Sequence, residues 1–179
     1  MNFTKANTMK TSTKFLATAA AAVALFISTN ANAQSRLGIG ATVGSPTNNK
    51  QSIVYGADLT LQIKASDHLY IPLSGGYTRM NASNDATGVD AIDRDYIPVK
   101  AGAKWLFSDK GYAWFVQMEA GAALATGSYP TSSTHFLFAP GAGYSWDNGL
   151  EIGARYEGFK EDKKQKGFFG LRLAYGFKL

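Results

Sequence analysis

From Leu37 onward, apolar residues alternate with polar or small ones at period two, the repeat of a strand with one apolar face. The first run places Leu37, Ile39, Ala41 and Val43 on one face and Gly38, Gly40 and Thr42 on the other. In the second, Tyr55, Ala57, Leu59, Leu61 and Ile63 oppose Gly56, Asp58, Thr60, Gln62 and Lys64. The third sets Leu69, Ile71, Leu73, Gly75 and Tyr77 against Tyr70, Pro72, Ser74, Gly76 and Thr78. The fourth carries Ile97, Val99, Ala101, Ala103, Trp105 and Phe107 against Pro98, Lys100, Gly102 and Lys104; the fifth carries Tyr112, Trp114, Val116, Met118, Ala120, Ala122 and Leu124 against Ala113, Phe115, Gln117, Glu119 and Gly121. Three further runs follow, from Phe136 to Trp146, Leu150 to Glu157 and Phe169 to Leu179. The pattern predicts eight strands, and no helical stripe of comparable length appears.

The connections alternate too. Ser45 to Ser52, Asn81 to Arg94, Thr126 to Ser133 and Lys160 to Gly167 read as long polar loops, whereas Ala65 to His68, Ser108 to Gly111 and Asp147 to Gly149 read as short turns. Long loops on one side and short turns on the other are the plan of an up-and-down transmembrane barrel, with both termini on the short-turn side. Charge says which face looks outward. One face of the strands is almost free of it, while the other collects Asp58, Lys64, Lys100, Lys104, Glu119, Glu151, Arg155, Glu157, Arg172 and Lys178. A soluble ligand-binding barrel has the reverse arrangement, so the expected fold is an all-β, eight-stranded antiparallel up-and-down barrel with an apolar exterior. Trp105, Phe107, Tyr112, Trp114, Tyr144, Trp146, Tyr175 and Phe177 share the apolar face beside short turns or the C-terminus and read as one interfacial aromatic girdle. Tyr55, Tyr77, Phe136, Tyr156 and Phe169 supply a second, near the long loops. A β-sandwich gives no reason for all three Trp to lie at one end.

Composition sharpens this picture. The 179 residues carry a formal charge of +5, but residues 1–33 hold Lys5, Lys10 and Lys14, no acid, and an apolar run from Phe15 to Ser28 ending in Ala31-Asn32-Ala33. That is the pattern of a cleaved secretory signal. The domain at 34–179 then has 179 − 33 = 146 residues, with 15 Lys+Arg against 13 Asp+Glu, a balance of +2 that argues against a nucleic-acid partner. The leader's run of 14 residues is too short for a spanning helix. The absence of cysteine excludes disulfide scaffolds, thiol catalysis and thiolate metal sites.

The alternating runs, the leader, and the segments Tyr96 to Trp105 (YIPVKAGAKW) and Gly170 to Leu179 (GLRLAYGFKL) resemble the small bacterial outer-membrane β-barrel family. That family includes relatives of outer membrane protein X and of the transmembrane domain of outer membrane protein A. The resemblance implies location in the outer membrane, contact with its lipid and lipopolysaccharide, delivery by the barrel assembly machinery, and a monomer. It also implies that Tyr175, Phe177 and Leu179 present the assembly signal, although members usually end in an aromatic residue and this chain ends in Leu179. Family members include structural, adhesive, channel-forming and uncharacterised proteins, so fold does not give function. A structural or surface-interaction barrel with a filled lumen is the expected role; a narrow channel for small solutes and a lipid-modifying enzyme are the alternatives.

Candidate chemistry is sparse. Ser133 and His135 fall on one face at the mouth of the sixth run, but no spacing places a third, orienting carboxylate beside them, and no catalytic residue is assigned. Asp85, Asp90, Asp93 and Asp95 make the second loop acidic without the ligand spacing of a calcium loop; neither a metal nor a cofactor is expected. The segment from Lys160 to Lys166 is basic and would face lipid phosphate, or simply solvent. The chemistry that remains is a lumen charge network of Asp58, Lys100, Lys104, Glu119, Arg155, Glu157 and Arg172. A symmetric hairpin pairing Phe107 with Tyr112 sets Lys100 opposite Glu119, with Asp58, Lys104, Arg155 and Arg172 completing a layer that closes the lumen. Pro72 and Pro98 fall inside runs, where each removes a ladder donor, and bulges are expected at both.

Overall fold

The computed structural model describes residues 35–47, 51–82, 94–108, 110, 112–126, 134–161 and 164–179, with backbone only for 51, 52, 82, 161 and 164–166. The leader expected over 1–33 lies outside them. Eight strands form: β1 (Arg36–Pro46), β2 (Gln51–Lys64), β3 (Leu69–Ala82), β4 (Arg94–Leu106), β5 (Ala113–Thr126), β6 (Thr134–Ser145), β7 (Leu150–Glu161) and β8 (Lys164–Lys178). They pair antiparallel in chain order, and β8 returns to β1, closing the barrel from Arg36 opposite Lys178 to Pro46 opposite Phe168. Closure removes the free edges that an open sheet would leave unpaired.

Period two is realised as inside and outside. Along β1 the residues from Arg36 to Val43 alternate buried and exposed without interruption. Leu59 (58% exposed), Trp114 (68%), Phe169 (65%) and Leu173 (56%) stand on the outer wall, while Asp58, Lys100, Lys104, Glu119 and Glu157 are buried in the lumen. Large apolar side chains outside and charges inside is the inversion that the sequence pattern predicts.

The strands run further than the alternation alone suggests. The segment from Lys160 to Gly167, expected to be a long loop, is mostly ladder, because β7 and β8 remain paired to Glu161 opposite Lys164. Likewise Ser45, Pro46, Gln51 and Ser52 belong to strands. Polar side chains do not end a strand whose backbone is still paired, and these ends extend past the outward apolar band. The short turns after β2 and β6 are close to those expected. At the last, Trp146 N–H donates to Leu150 C=O at 2.8 Å, and Gly149 takes a φ of 93°, a left-handed value costly for a residue with a Cβ.

Pro72 and Pro98 produce no bulge. The β3–β4 register is unchanged from Leu69 opposite Trp105 to Met80 opposite Arg94, but pairs are missing around Pro72 opposite Gly102 and Pro98 opposite Gly76. Leu106 N–H donates to His68 C=O at 2.8 Å, and hydrogen-bonded positions recur every second residue from there. Both prolines occupy such positions. Each therefore deletes one N–H donor from the same seam without displacing the strand, leaving the carbonyls of Gly102 and Gly76 short of a ladder partner.

Candidate functional site

The lumen is stacked in layers. Toward the turn end, Tyr70, Leu106, Ala113 and Phe115 form a buried apolar cluster; toward the loop end, Val54, Met80, Tyr96, Ala123, Leu137, Phe159 and Phe168 form another. The polar network lies between them. Phe115 can lie flat against the wall because Gly143 and Gly153 sit beneath it: a Cβ on them would meet the ring at 2.8 and 3.3 Å.

Three groups make up the network. Near the turn end, Lys104 pairs with Glu151, which also accepts from Ser145 Oγ (3.2 Å) and Gln62 Nε2 (3.2 Å), and the Lys104 ammonium lies 4.2 Å from the centre of the Phe115 ring. In the second group Arg172 grips Asp58 with both arms of its guanidinium, Nε at 3.0 Å from Oδ2, and Thr60 Oγ1 donates to the same carboxylate at 2.9 Å. Gly40 makes the room for this grip, since a Cβ there would lie 2.5 Å from the guanidinium. The third group centres on Glu157, which receives Lys100 Nζ at 2.6 Å and Arg155 at 2.9 Å; Arg155 also donates to Thr42 Oγ1 at 3.0 Å. Four acids, Asp58, Glu119, Glu151 and Glu157, face four bases, Lys100, Lys104, Arg155 and Arg172, so these eight side chains sum to zero charge. Buried charges persist only when paired in this way.

All seven residues expected in the lumen network are in the lumen, but their pairing differs from the expectation. The β4–β5 register places Lys100 opposite Gly121 and Gly102 opposite Glu119, because Phe107 N–H bonds Trp114 C=O at 3.0 Å and not Tyr112. The hairpin is two residues longer than the symmetric turn assumed. Lys100 and Glu119 are consequently 4.0 Å apart, a secondary contact, and Glu119 is held instead by Ser74 Oγ at 2.9 Å and Gln117 Nε2 at 3.3 Å. Asp58, Lys104, Arg155 and Arg172 do not form one layer around a Lys100–Glu119 pair; they divide among the three groups. Glu151, the partner of Lys104, was missing from the expected network although it lies on the charged face.

The eight residues of the expected turn-side girdle all stand on the outer wall, with Phe107, Tyr112 and Trp146 just beyond strand ends. Trp114, Tyr144 and Trp146 form a chain of edge-to-face contacts at 5.4 and 4.8 Å, and Tyr175 meets Phe177 at 4.9 Å. Tyr156 and Phe169 (4.9 Å) with Phe138 (5.8 Å from Tyr156) form a second outer cluster toward the loops. Leu179 N–H closes onto Ser35 C=O at 3.0 Å. His135 is on the lumen side of β6, edge-on to Tyr96 at 6.3 Å, and His68 stacks on Trp105 at 5.5 Å. Ser133 and the acids Asp85, Asp90 and Asp93 lie outside the described residues, as do the side chains of 161–166; Asp95 is in β4, 3.7 Å from Arg79. Among the described residues no group of His, Asp or Glu is arranged to hold a metal ion.

No protein-family profile matches the chain, and no curated protein matches it by sequence. Solved structures do. The outer-membrane enzyme PagL superposes with a TM-score of 0.59 at 19% identity, covering 77% of this chain and 98% of its own. The N-terminal β-barrel domain of Pseudomonas aeruginosa OprF gives 0.55 at 16% identity, with coverages of 82% and 100%. The Yersinia pestis outer-membrane protein Ail, in a phospholipid bilayer nanodisc, gives 0.54 at 18% identity, with coverages of 79% and 99%. This chain has the fold of the small eight-stranded barrels of bacterial outer membranes.

Proposed function

We propose that the chain is an integral protein of the bacterial outer membrane, exported by its N-terminal leader, with a side-chain-filled lumen and a structural or surface-interaction role rather than an enzymatic one. The observation that carries this reading is the joining of an apolar, aromatic-banded outer wall to a lumen of paired charges flanked by apolar clusters toward both ends. Such a wall is at home only in lipid, where a closed barrel satisfies its backbone internally. An eight-stranded barrel is just wide enough to be filled by its own side chains, and here buried apolar clusters flank the charged groups toward both ends. That disfavours the solute channel. The enzyme alternative loses support because His135 is turned to the lumen side against Tyr96. The surface-interaction role falls to the loop end; Ail, which shares this fold, is named for attachment and invasion. Tyr175, Phe177 and Leu179, outward along the last strand, are the segment through which the assembly machinery would read this chain.

Planar-bilayer recording tests the sealed lumen. Insertion of the full barrel should give no steady conductance at moderate voltage; stable open-pore current from the unmodified protein would overturn the structural reading in favour of the channel.

A further inference from the structure

One stretch of the outer wall is indented. Two open apolar grooves lie end to end there: one of about 460 Å³ floored by Pro140, Ala154 and Gly170 and edged by Tyr156 and Phe169, the other of about 610 Å³ bounded by Trp114, Tyr144 and Trp146. Both are lined by Ala154 and Leu171, so they form one furrow over β6, β7 and β8 from the loop-side aromatic cluster to the turn-side one. Small side chains at Pro140, Ala142 and Ala154 make the depression, and rings close its two ends.

The floor of this furrow also contains a backbone acceptor short of its donor. The β6–β7 register is constant from Phe138 opposite Gly158 to Gly141 opposite Arg155, but no pair forms at Pro140 opposite Tyr156. Counting every second residue from the Trp146 N–H bond to Leu150 C=O makes this a hydrogen-bonded position. Proline has no N–H to give, so the Tyr156 carbonyl lacks its ladder donor. On a wall in contact with hydrocarbon no water supplies the missing donor, so a bound group that donates to this carbonyl gains a net hydrogen bond.

We propose that this furrow binds one acyl chain of a bilayer lipid, and that it prefers a chain bearing a hydroxyl partway along its length, which donates to the Tyr156 carbonyl. The inference rests on the membrane reading above. Depth orients the ligand: Pro140 and Tyr156 are each the seventh residue of a twelve-residue strand, so the hydroxyl sits partway down the wall, below the loop-side rings, while the rest of the chain runs over Ala154 and Leu171 toward Trp114 and Trp146. The furrow holds only the hydrocarbon part of the ligand and leaves any charged head outside it, because its lining offers no outward ionic side chain, Arg155 pointing instead into the lumen toward Glu157.

The test uses the full barrel folded into vesicles of phosphatidylcholine with dibrominated chains, in a Trp105→Phe background so that emission comes from Trp114 and Trp146. Heat-modifiable gel migration and protection from protease report insertion, and they fail separately if the membrane reading is wrong. Stearic or 8-hydroxystearic acid is then added. A chain seated in the furrow displaces brominated lipid and restores fluorescence. We expect recovery at an effective mole fraction about threefold to tenfold lower for the hydroxylated acid, the range of one net hydrogen bond. Pro140→Ala returns an N–H to Tyr156 and should bring the two acids to equal potency while leaving recovery intact. Ala154→Leu, which fills the furrow where its halves meet, should abolish recovery. Equal potency in the parent protein would overturn the hydroxyl assignment. No recovery, recovery undiminished by Ala154→Leu, or a dimer that Ala154→Leu dissolves would overturn the lipid site, the last by giving the furrow to a second copy of the chain.

Discussion

Glu157 is the residue on which the lumen's electrostatics converge, since Lys100 and Arg155 both bond it and its side chain is fully buried. Removing it leaves two cations without their main acceptor in a poorly hydrated interior, a change expected to cost about 3–5 kcal/mol. A double-mutant cycle on Lys100→Ala and Glu157→Ala, read by denaturant titration of the protein folded in vesicles, should show a coupling of about 1–3 kcal/mol. The parallel cycle of Lys100→Ala with Glu119→Ala should couple more weakly, because that contact is only 4.0 Å. Additivity of Lys100 and Glu157 would contradict the assignment. The sequence makes plain which side chains are inside but not which of them touch. A register change of two residues keeps every side chain on its face and is therefore silent in a period-two pattern, whereas it replaces Glu119 by Gly121 opposite Lys100. The pairing of Lys104 with Glu151, 47 residues apart, depends on closure of the whole barrel and has no local signature beyond a shared face.

At the scale of elements, the prolines concentrate their effect. Pro72 and Pro98 each remove a donor from the β3–β4 seam, whereas β4 and β5 are paired continuously from Asp95 opposite Thr126 to Leu106 opposite Phe115. Hydrogen exchange in micelles should therefore find the amides of Gly76 and Gly102, which donate into the β3–β4 seam beside the prolines, less protected than those of Val99 and Ala101, which face β5. Equal protection would contradict a weakened seam. The prolines are visible in the sequence, but their consequence is not, because whether a missing N–H leads to a bulge or merely to an orphaned carbonyl is decided by the neighbouring strand. The last strand closes the cylinder through Phe177 opposite Leu37, Lys178 opposite Arg36 and the Leu179 to Ser35 bond. Deleting residues 177–179 removes this closure together with the proposed assembly signal, and should abolish folded protein in outer-membrane fractions; normal levels of inserted truncated barrel would refute that.

For the whole molecule, sidedness is the central physical fact, and it was legible from the first alternating run because a strand exposes its two faces independently of register. Loop lengths were less legible: at the β7–β8 hairpin, polar residues continue the ladder to Glu161 opposite Lys164. The outward furrow at Pro140, Ala142 and Ala154 was also hidden, since small residues on an apolar face satisfy the alternation as well as large ones do. Sidedness is tested most directly by placing a charge on the outer wall at three points of its circumference: Leu59→Arg on β2, Val116→Arg on β5 and Leu173→Arg on β8, all exposed in the structure. An arginine facing solvent at such positions would be nearly neutral, whereas one facing the bilayer midplane costs about 2–4 kcal/mol. Denaturant titration of each variant folded into phosphatidylcholine vesicles should show a loss of that size at all three sites; arginine tolerated at all three would contradict a barrel whose outer wall meets lipid.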